Sequence, residues 1–436
     1  MGNPGEKGIV IPESIANGNE PTFRRVADNV GTPAYVYFEK SLRDSIRTFT
    51  SIPAPFGLRI RYAMKANPAA AILRIFDSEG AHIDASTFNE TRRAIEQAGI
   101  DGRKIRLTSQ EVQSPDRLKY LNKKEVSYTA CSLRQLDTYG QALPGTEVGV
   151  RFNIGIGSGW NAQTSTGGVS SSFGIYEQRD EIDALLKRHA LTLTTVHLHI
   201  GSGSDPKKQE EAIKSGLALV RDYPSVTTLN MGGGFKVARM SHEKGTDIAA
   251  MGRAMSQALR DFEQETGRQI SLEVEPGTAL VANAGYIVTE ITDKVHTGES
   301  GQEFLNVDGG MNVNARVSLY GAQHPLAVIP RNGDSKERGT RSYVVAGPCC
   351  ESGDVLTVTP GKPDEISSRD LLEAEVGDLL VVAGAGAYGS SMSIANYNSL
   401  ERPPEVLIRT DGTIAVIRDR QDPVTIWEHD KIPTGL

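Results

Sequence analysis

The sequence predicts a (β/α)8 TIM-like barrel followed by a C-terminal β-sandwich or β-barrel domain. Two patterns carry the fold. Between positions 59 and 275, eight strand-like segments recur, with helical periodicity between most of them. Beyond about position 285 the pattern changes to period two without clear helices, as an all-β domain requires. A third observation bears on function: the carboxyl ends of the eight strands carry Lys65, Asp84, Ser109, Arg151, His199, a run of three glycines and Glu275. Barrel enzymes place their chemistry at those ends. The expected boundaries are an N-terminal segment over 1–45, part of it packing with the β domain, a barrel over 46–285 and a β domain over 286–436.

In chain order, residues 1–30 are polar and contain Gly and Pro, which suggests a loose lead-in. TPAYVYF (32–38) reads as a strand with a short helix after it. The barrel strands follow as RIRYAMK (59–65), AHIDAS (81–86), KIRLTS (104–109), VSYTACS (126–132), VGVRFN (148–153), TVHLHI (195–200), VTTLNM (226–231) and ISLEVE (270–275). After the first, Asn67 suits an N-cap and Pro68 the first helical position. Thr87 and Glu90 form a capping box, and Gly99 closes that helix. Further helices are expected over 180–189, 209–220 and 247–266. The fifth connection, 154–172, is a Gly/Ser-rich loop. The β domain offers YIVTEITDKV, EFLNVDG, RSYVVAG, VLTVTP, DLLVVAG, EVLIRT and TIAVIRD as strands, with a charged loop at 331–341.

Composition narrows the function. The 436 residues suffice for two domains, and a net charge of −7 offers no basic face for nucleic acid. No run of 18 apolar residues suggests a membrane span, and the first residues lack the apolar core of a signal peptide. Three cysteines without regular spacing fit a reducing, cytoplasmic setting. The eight histidines show no metal-ligand spacing.

Each strand-end residue has an ordinary structural explanation. A lone lysine at a turn is usually solvated. Held partly out of water, its amine has a depressed pKa and attacks a carbonyl to form an imine. NMGGGF (230–235) follows a strand, and three glycines let backbone N–H groups approach a phosphate, although such runs also make tight turns. In HLHIGSGSD (197–205), His199 could cover an aromatic cofactor and Ser202 could reach a phosphate, whereas His197 reads as a core histidine. Glu275 could keep a pyridine nitrogen protonated, making the ring an electron sink, or form a structural ion pair, for instance with Arg151. Together these groups describe a site for pyridoxal 5'-phosphate.

From about position 32 to 409 the sequence resembles the fold-type III pyridoxal-phosphate decarboxylases, and among them the diaminopimelate decarboxylases. The resemblance rests on YAMKAN, HIDAS, HIGSGSD, GGGF, EPG, DGGMN, ARVSLYGA, GPCCESGD, GAYGSSMSIANYNS and RPPEVLI, in the family's order. It implies decarboxylation of meso-2,6-diaminopimelate to L-lysine. Lys65 is then the Schiff-base lysine, His199 stacks on the ring, and Ser202, Gly232, Gly233 and Gly234 bind the phosphate. Glu275 holds the ring nitrogen, and Asp84, Arg151 and Gly277 line the cofactor. Arg316 and Tyr320 would hold a substrate carboxylate, and Tyr388 would touch cofactor and substrate. Cys350 and Glu351 would reach the site from a second subunit, which implies a homodimer with shared sites and makes Cys350 the proton donor.

Two departures stand out. Thr278 replaces the arginine of EPGR, which would help bind the substrate's distal carboxylate, and Val317 replaces a proline. Another donor, for instance from 154–172, or a different substrate would answer the first. The alternatives are a decarboxylase of lysine, ornithine, arginine or a conjugated amino acid, a racemase, and a regulatory homologue without catalysis. An acidic partner for the ring nitrogen argues against the racemase. The presence of Lys65, Cys350 and Glu351 argues against the regulatory protein.

Overall fold

Polar and apolar residues alternate along every strand of the barrel, and that alternation decides what its interior contains. The computed structural model describes residues 18–157, 168, 170–201, 206–332 and 338–436. These fall into two compact units. One comprises residues up to Ser41, Arg239–Glu243 and Ala282–Leu436; the other comprises Leu42–Ala238 and Lys244–Val281.

The chain enters the first unit. Residues 18–30 are not a loose lead-in: Glu20–Val30 is a helix with Pro21 in its first turn, and it buries Phe23, Val26 and Ala27. Strand β1 (Ala34–Phe38) follows.

The second unit holds the eight expected strands: β2 (Leu58–Ala63), β3 (His82–Ala85), β4 (Ile105–Thr108), β5 (Ser127–Ala130), β6 (Glu147–Asn153), β8 (Thr192–His197), β9 (Thr228–Asn230) and β10 (Ser271–Val274). A two-residue β7 (Ile175–Tyr176) adds to the edge of β6. All pair in parallel, and the pairings of β5 with β6 and β10 with β2 close the ring. Helices Arg179–Arg188, Pro206–Asp222 and Ile248–Thr266 cover it, the last capped by Asp247. The register places Arg61, Asp84, Arg106, Thr129, Gly149, Arg151, Thr195, His197, Asn230 and Glu273 on one face. Ile60, Tyr62, Ile83, Leu107, Tyr128, Val150, Val196, Leu229 and Leu272 alternate with them and are buried on the other. The lumen is therefore polar.

Glu273, fully buried, is its centre. It pairs with Arg61 at 2.9 Å, Arg59 at 3.3 Å and Arg106 at 3.4 Å, and it accepts from Asn230 at 3.2 Å. Burial alone would raise its pKa. The arginines outweigh burial and hold the carboxyl well below the ordinary range. Gly149 makes room for this cluster, since a Cβ there would lie 2.9 Å from Thr129 Oγ1 and 3.0 Å from Arg106 Nη1.

Three local expectations change. Lys65 is not the last residue of its strand; it lies in a 3₁₀ turn, Met64–Ala66, after β2. Asn67 does not cap the next helix: its Oδ1 accepts from Ala69 N at 3.1 Å, and the helix begins at Ala70. Half of the capping box is formed: Glu90 N donates to Thr87 Oγ1, while Glu90 Oε2 accepts from Ser86 N, one residue before the cap, and that helix widens to a π turn over Arg93–Gln97. The loop at 154–172 lies mostly outside the described residues.

The first unit continues with β11 (Gly285–His296), β12 (Glu303–Val307), β13 (Leu326–Ile329), β14 (Thr340–Ala346), β15 (Val358–Thr359), β16 (Lys362–Ile366), β17 (Arg369–Leu372), β18 (Leu379–Val382), β19 (Glu405–Ile408) and β20 (Ile414–Arg418). Nine strands form one mainly antiparallel sheet, in which β1 lies between β11 and β19. Phe23, Val36, Tyr286, Val288, Ile329, Val381 and Val406 belong to its core. The expectation of no helix here fails at Ala315–Tyr320, whose six residues end at a left-handed Gly321.

Replacing Glu273 by Gln leaves two buried guanidiniums without their counter-charge. It should cost roughly 3–5 kcal/mol, read as a lower urea midpoint for the barrel. Because the folded pKa is depressed, the stabilisation is complete above the unfolded value and is lost as pH falls toward the folded one. The variant should therefore lose stability less steeply on acidification than the wild type.

Candidate active site

The loops leaving β2, β8, β9 and β10 are built around one another. Ala63 N donates to Pro276 O at 3.1 Å, which ties the lysine turn to the segment after β10. A Cβ at Gly277 would lie 3.2 Å from both Ala63 Cβ and Ala66 Cβ, so this glycine lets the two segments approach. Lys65 itself is exposed between buried Met64 and Ala66. Its charge nevertheless acts on buried Asp84 and on His199, which places the amine in their neighbourhood.

After β9, Gly232 has a φ of +67°, and a Cβ there would lie 2.5 Å from Leu198 O and 2.6 Å from His199 Nδ1. At Gly233 a Cβ would lie 2.5 Å from Glu275 O. Both positions exclude any side chain. Their N–H groups are engaged within the protein: Gly232 N donates to Asn230 Oδ1 at 2.8 Å and Gly233 N to His199 Nδ1 at 2.9 Å. The expected row of three glycine donors for a phosphate is thus reduced, and these two glycines act by close packing. Ser202, the other expected phosphate ligand, lies outside the described residues.

The bond from Gly233 fixes the state of His199. A backbone N–H only donates, so Nδ1 holds a lone pair and the proton of the neutral ring sits on Nε2. Burial, then the charges of Arg151 and Lys65, push its pKa well below the usual value. A neutral, oriented, half-buried ring is suited to lie against an aromatic plane.

Glu275 accepts from Asn230 Nδ2 on Oε1 at 2.7 Å, and its Oε2 lies 3.2 Å from His197 Nε2. Burial would raise its pKa, but the hydrogen bonds from His197 and Asn230 favour the charged form and hold it below the usual carboxylate range. Burial lowers that of His197. The pair is then a carboxylate accepting from a neutral imidazole. Among the described residues Arg151 makes no close ion pair with Glu275, although the two charges act on each other; His197, read as a satisfied core histidine, is buried and takes Glu275 as its partner. Asp84, 3% exposed, behaves oppositely. Burial, then the charge of Glu275, raises its pKa well above the usual value, with Lys65 opposing. Its Oδ1 has no partner among the described residues. Two buried carboxyl groups with pKa values driven apart are a common mark of acid–base assignment. Arg151 lies over the Phe173 ring at 5.0 Å. Its pKa is lowered by burial, with Cys131, Glu275 and Asp84 acting the other way.

The other expected residues lie in the sheet unit, except Thr278, which opens the short helix after β10. Arg316 and Tyr320 are on the helix Ala315–Tyr320, and Tyr388 takes a left-handed φ of 58°. Burial lowers the pKa of Arg316, with Tyr388, Tyr320 and Glu243 acting the other way. Cys350 and Glu351 are exposed on a turn pinned by buried Asp354, which accepts from Met311 N and Cys349 N. Ser318 Oγ donates to Gly353 O at 3.0 Å, tying this turn to the Arg316 helix. Sequence reasoning missed Asn230 and Glu273. The strand alternation that puts them beside His197 and Glu275 was the available signal.

The residues present fit pyridoxal phosphate. The barrel mouth joins an ionised buried carboxylate, a neutral flat ring, glycines that admit no Cβ, an unsatisfied Asp84 oxygen and an exposed lysine. Comparison with known proteins agrees. Residues 41–282 match the model of the pyridoxal-binding domain of pyridoxal-dependent decarboxylases. A diaminopimelate decarboxylase of Streptomyces coelicolor is 34% identical over 410 residues, 92% of this chain and 90% of that protein. One from Escherichia coli K12 is 32% identical over 404 residues, 91% and 93% of the two chains. A crystal structure of diaminopimelate decarboxylase superposes with a TM-score of 0.86 at 31% identity, covering 94% of this chain and 96% of its own. The Helicobacter pylori enzyme complexed with L-lysine gives 0.80 at 26%, covering 93% and 98%. The chain belongs to the pyridoxal-dependent decarboxylases, and is an amino-acid decarboxylase that uses pyridoxal 5'-phosphate.

Proposed function

We propose that the chain decarboxylates meso-2,6-diaminopimelate to L-lysine and CO2 as a cytoplasmic homodimer. The observation that carries the reaction type is Glu275, held ionised by His197 and Asn230. The substrate reading is supported by relatives of that activity that align over nine-tenths of both chains. Among the described residues no helix is long and apolar enough to cross a membrane.

The cofactor, when bound, supplies an electron-poor ring that accepts the electrons of the broken Cα–carboxylate bond. Lys65 would carry it until the substrate amine displaces that lysine. The Glu275 carboxylate would hold the proton on the ring nitrogen, and His199 would present its face to the ring. Asp84, Arg151, Gly234 and Ser202 would complete the cofactor's surroundings. Arg316, Tyr320 and Tyr388 would orient the substrate, with Thr278 at the edge of its site. Cys350 and Glu351, exposed on a rigid turn, suit delivery into a second copy's site, where the Cys350 thiol would give its proton to Cα. Such sharing makes the dimer a condition of activity.

Incubation with meso-diaminopimelate and with L-lysine, following CO2 and product, tests the reaction. Equimolar CO2 and lysine from the first are expected; CO2 from L-lysine alone would replace this reading. Lys65→Ala should abolish the visible absorbance of the bound cofactor and nearly all turnover, and a coloured, active variant would remove Lys65 from its role. Cys350→Ala should slow turnover by about 10²-fold or more with the absorbance intact.

A further inference from the structure

Two guanidiniums whose charges meet on one buried imidazole, and which have nitrogens without acceptors among the described residues, call for an anion from elsewhere. Arg239 and Arg316 are such a pair. Arg239 follows the glycine run by sequence, yet Arg239–Glu243 belongs with the sheet unit. Its Nε donates to Gly384 O at 2.9 Å. A Cβ on Gly384 would lie 3.0 Å from Arg239 Cγ, so the arginine lies flat against that glycine. Burial first, then the charge of Arg316, pulls its pKa down to about 9. Arg239 Nη2 and Arg316 Nε are buried without a hydrogen-bond partner among the described residues.

The surrounding groups do not supply the missing anion. His324 is 3% exposed, and burial together with the charges of both arginines holds its pKa well below the usual value. Its Nδ1 lies 2.9 Å from Ala383 O and so carries the proton, because a carbonyl only accepts. The ring is neutral, and its Nε2 is a further buried atom without a partner. Glu243 is the one carboxylate among the charges acting on the two arginines. Its Oε2 is engaged by Arg239 N at 2.7 Å and Met240 N at 3.1 Å. Two guanidiniums against one carboxylate leave one positive charge in a half-buried place, which one ligand carboxylate would neutralise.

We infer that Arg239, with Arg316, holds the distal carboxylate of a dicarboxylic amino-acid substrate. This rests on the proposed reaction and names a residue for it.

The test uses the holoenzyme, with Arg239→Met and Arg239→Lys variants whose cofactor absorbance matches wild type. In Arg239→Met the KM for meso-diaminopimelate should rise on the order of 10²-fold, with kcat changed by less than about 5-fold. Calorimetric titration with pimelate, a dicarboxylate without amines, should show affinity weakened by a similar factor. Arg239→Lys keeps the charge but loses the fork, so it should recover only part. Unchanged KM and pimelate affinity in Arg239→Met would overturn the assignment. Should that variant fail to fold, the pimelate affinity of Arg239→Lys decides: equality with wild type overturns the assignment, and a loss of about 5-fold or more supports it. If the wild type releases no CO2 from meso-diaminopimelate, the reaction fails while the pimelate titration still judges the site.

Discussion

The structure of the barrel turns on two carboxylates two residues apart on one strand. Glu273 and Glu275 both face the lumen from β10 and its end, and Asn230 donates to each through one amide nitrogen. Their remaining partners differ in kind. Glu273 is neutralised by arginines from β2 and β4, which makes it a structural charge. Glu275 has a neutral imidazole and an amide, so its negative charge is oriented without being cancelled. A buried carboxylate in that condition retains the capacity to bind a cationic ring nitrogen. The stability of the barrel and its chemistry are adjacent uses of the same strand face.

The glycine run has a related double dependence. Gly232 and Gly233 could not bear a side chain because His199 and the backbone at Glu275 occupy that space. In return, Gly233 N sets the tautomer of His199 and Gly232 O accepts from Glu275 N at 2.8 Å. The loop therefore positions the ring on one side and the carboxylate on the other. A substitution in it would disturb both together, whatever its direct contact with phosphate.

Much of this was legible in the sequence, for identifiable reasons. Eight strands with helices between them, and a change to period two, are short-range patterns that burial enforces. That the segments carrying Lys65, His199 and Glu275 come together was legible because strand ends in a barrel point to one place. Three things were not. Asn67 satisfied the rule for an N-cap, but its side chain closes a shorter local turn instead. His197 and Arg151 compete for Glu275, and only the closing of the ring decides between them. Glu20–Val30 begins in polar sequence, and its helical state comes from burying Phe23 and Val26 against the sheet.

The replacement of an arginine by Thr278 bears on specificity through charge, not through the loss of one named contact. A carboxylate in a partly buried site needs compensating charge and donors, and either can come from any segment that reaches it. Arg239 is invisible in a motif search because FKVARM carries no chemical signature and lies within the barrel's stretch of sequence. Its packing with the sheet unit, and the neutrality of His324 beside it, give it that capacity. Positive charge in excess of its partners, held among atoms that lack acceptors, is a requirement that a diacid meets and a simple diamine does not. On that physical ground the departure at Thr278 is compatible with the same class of substrate.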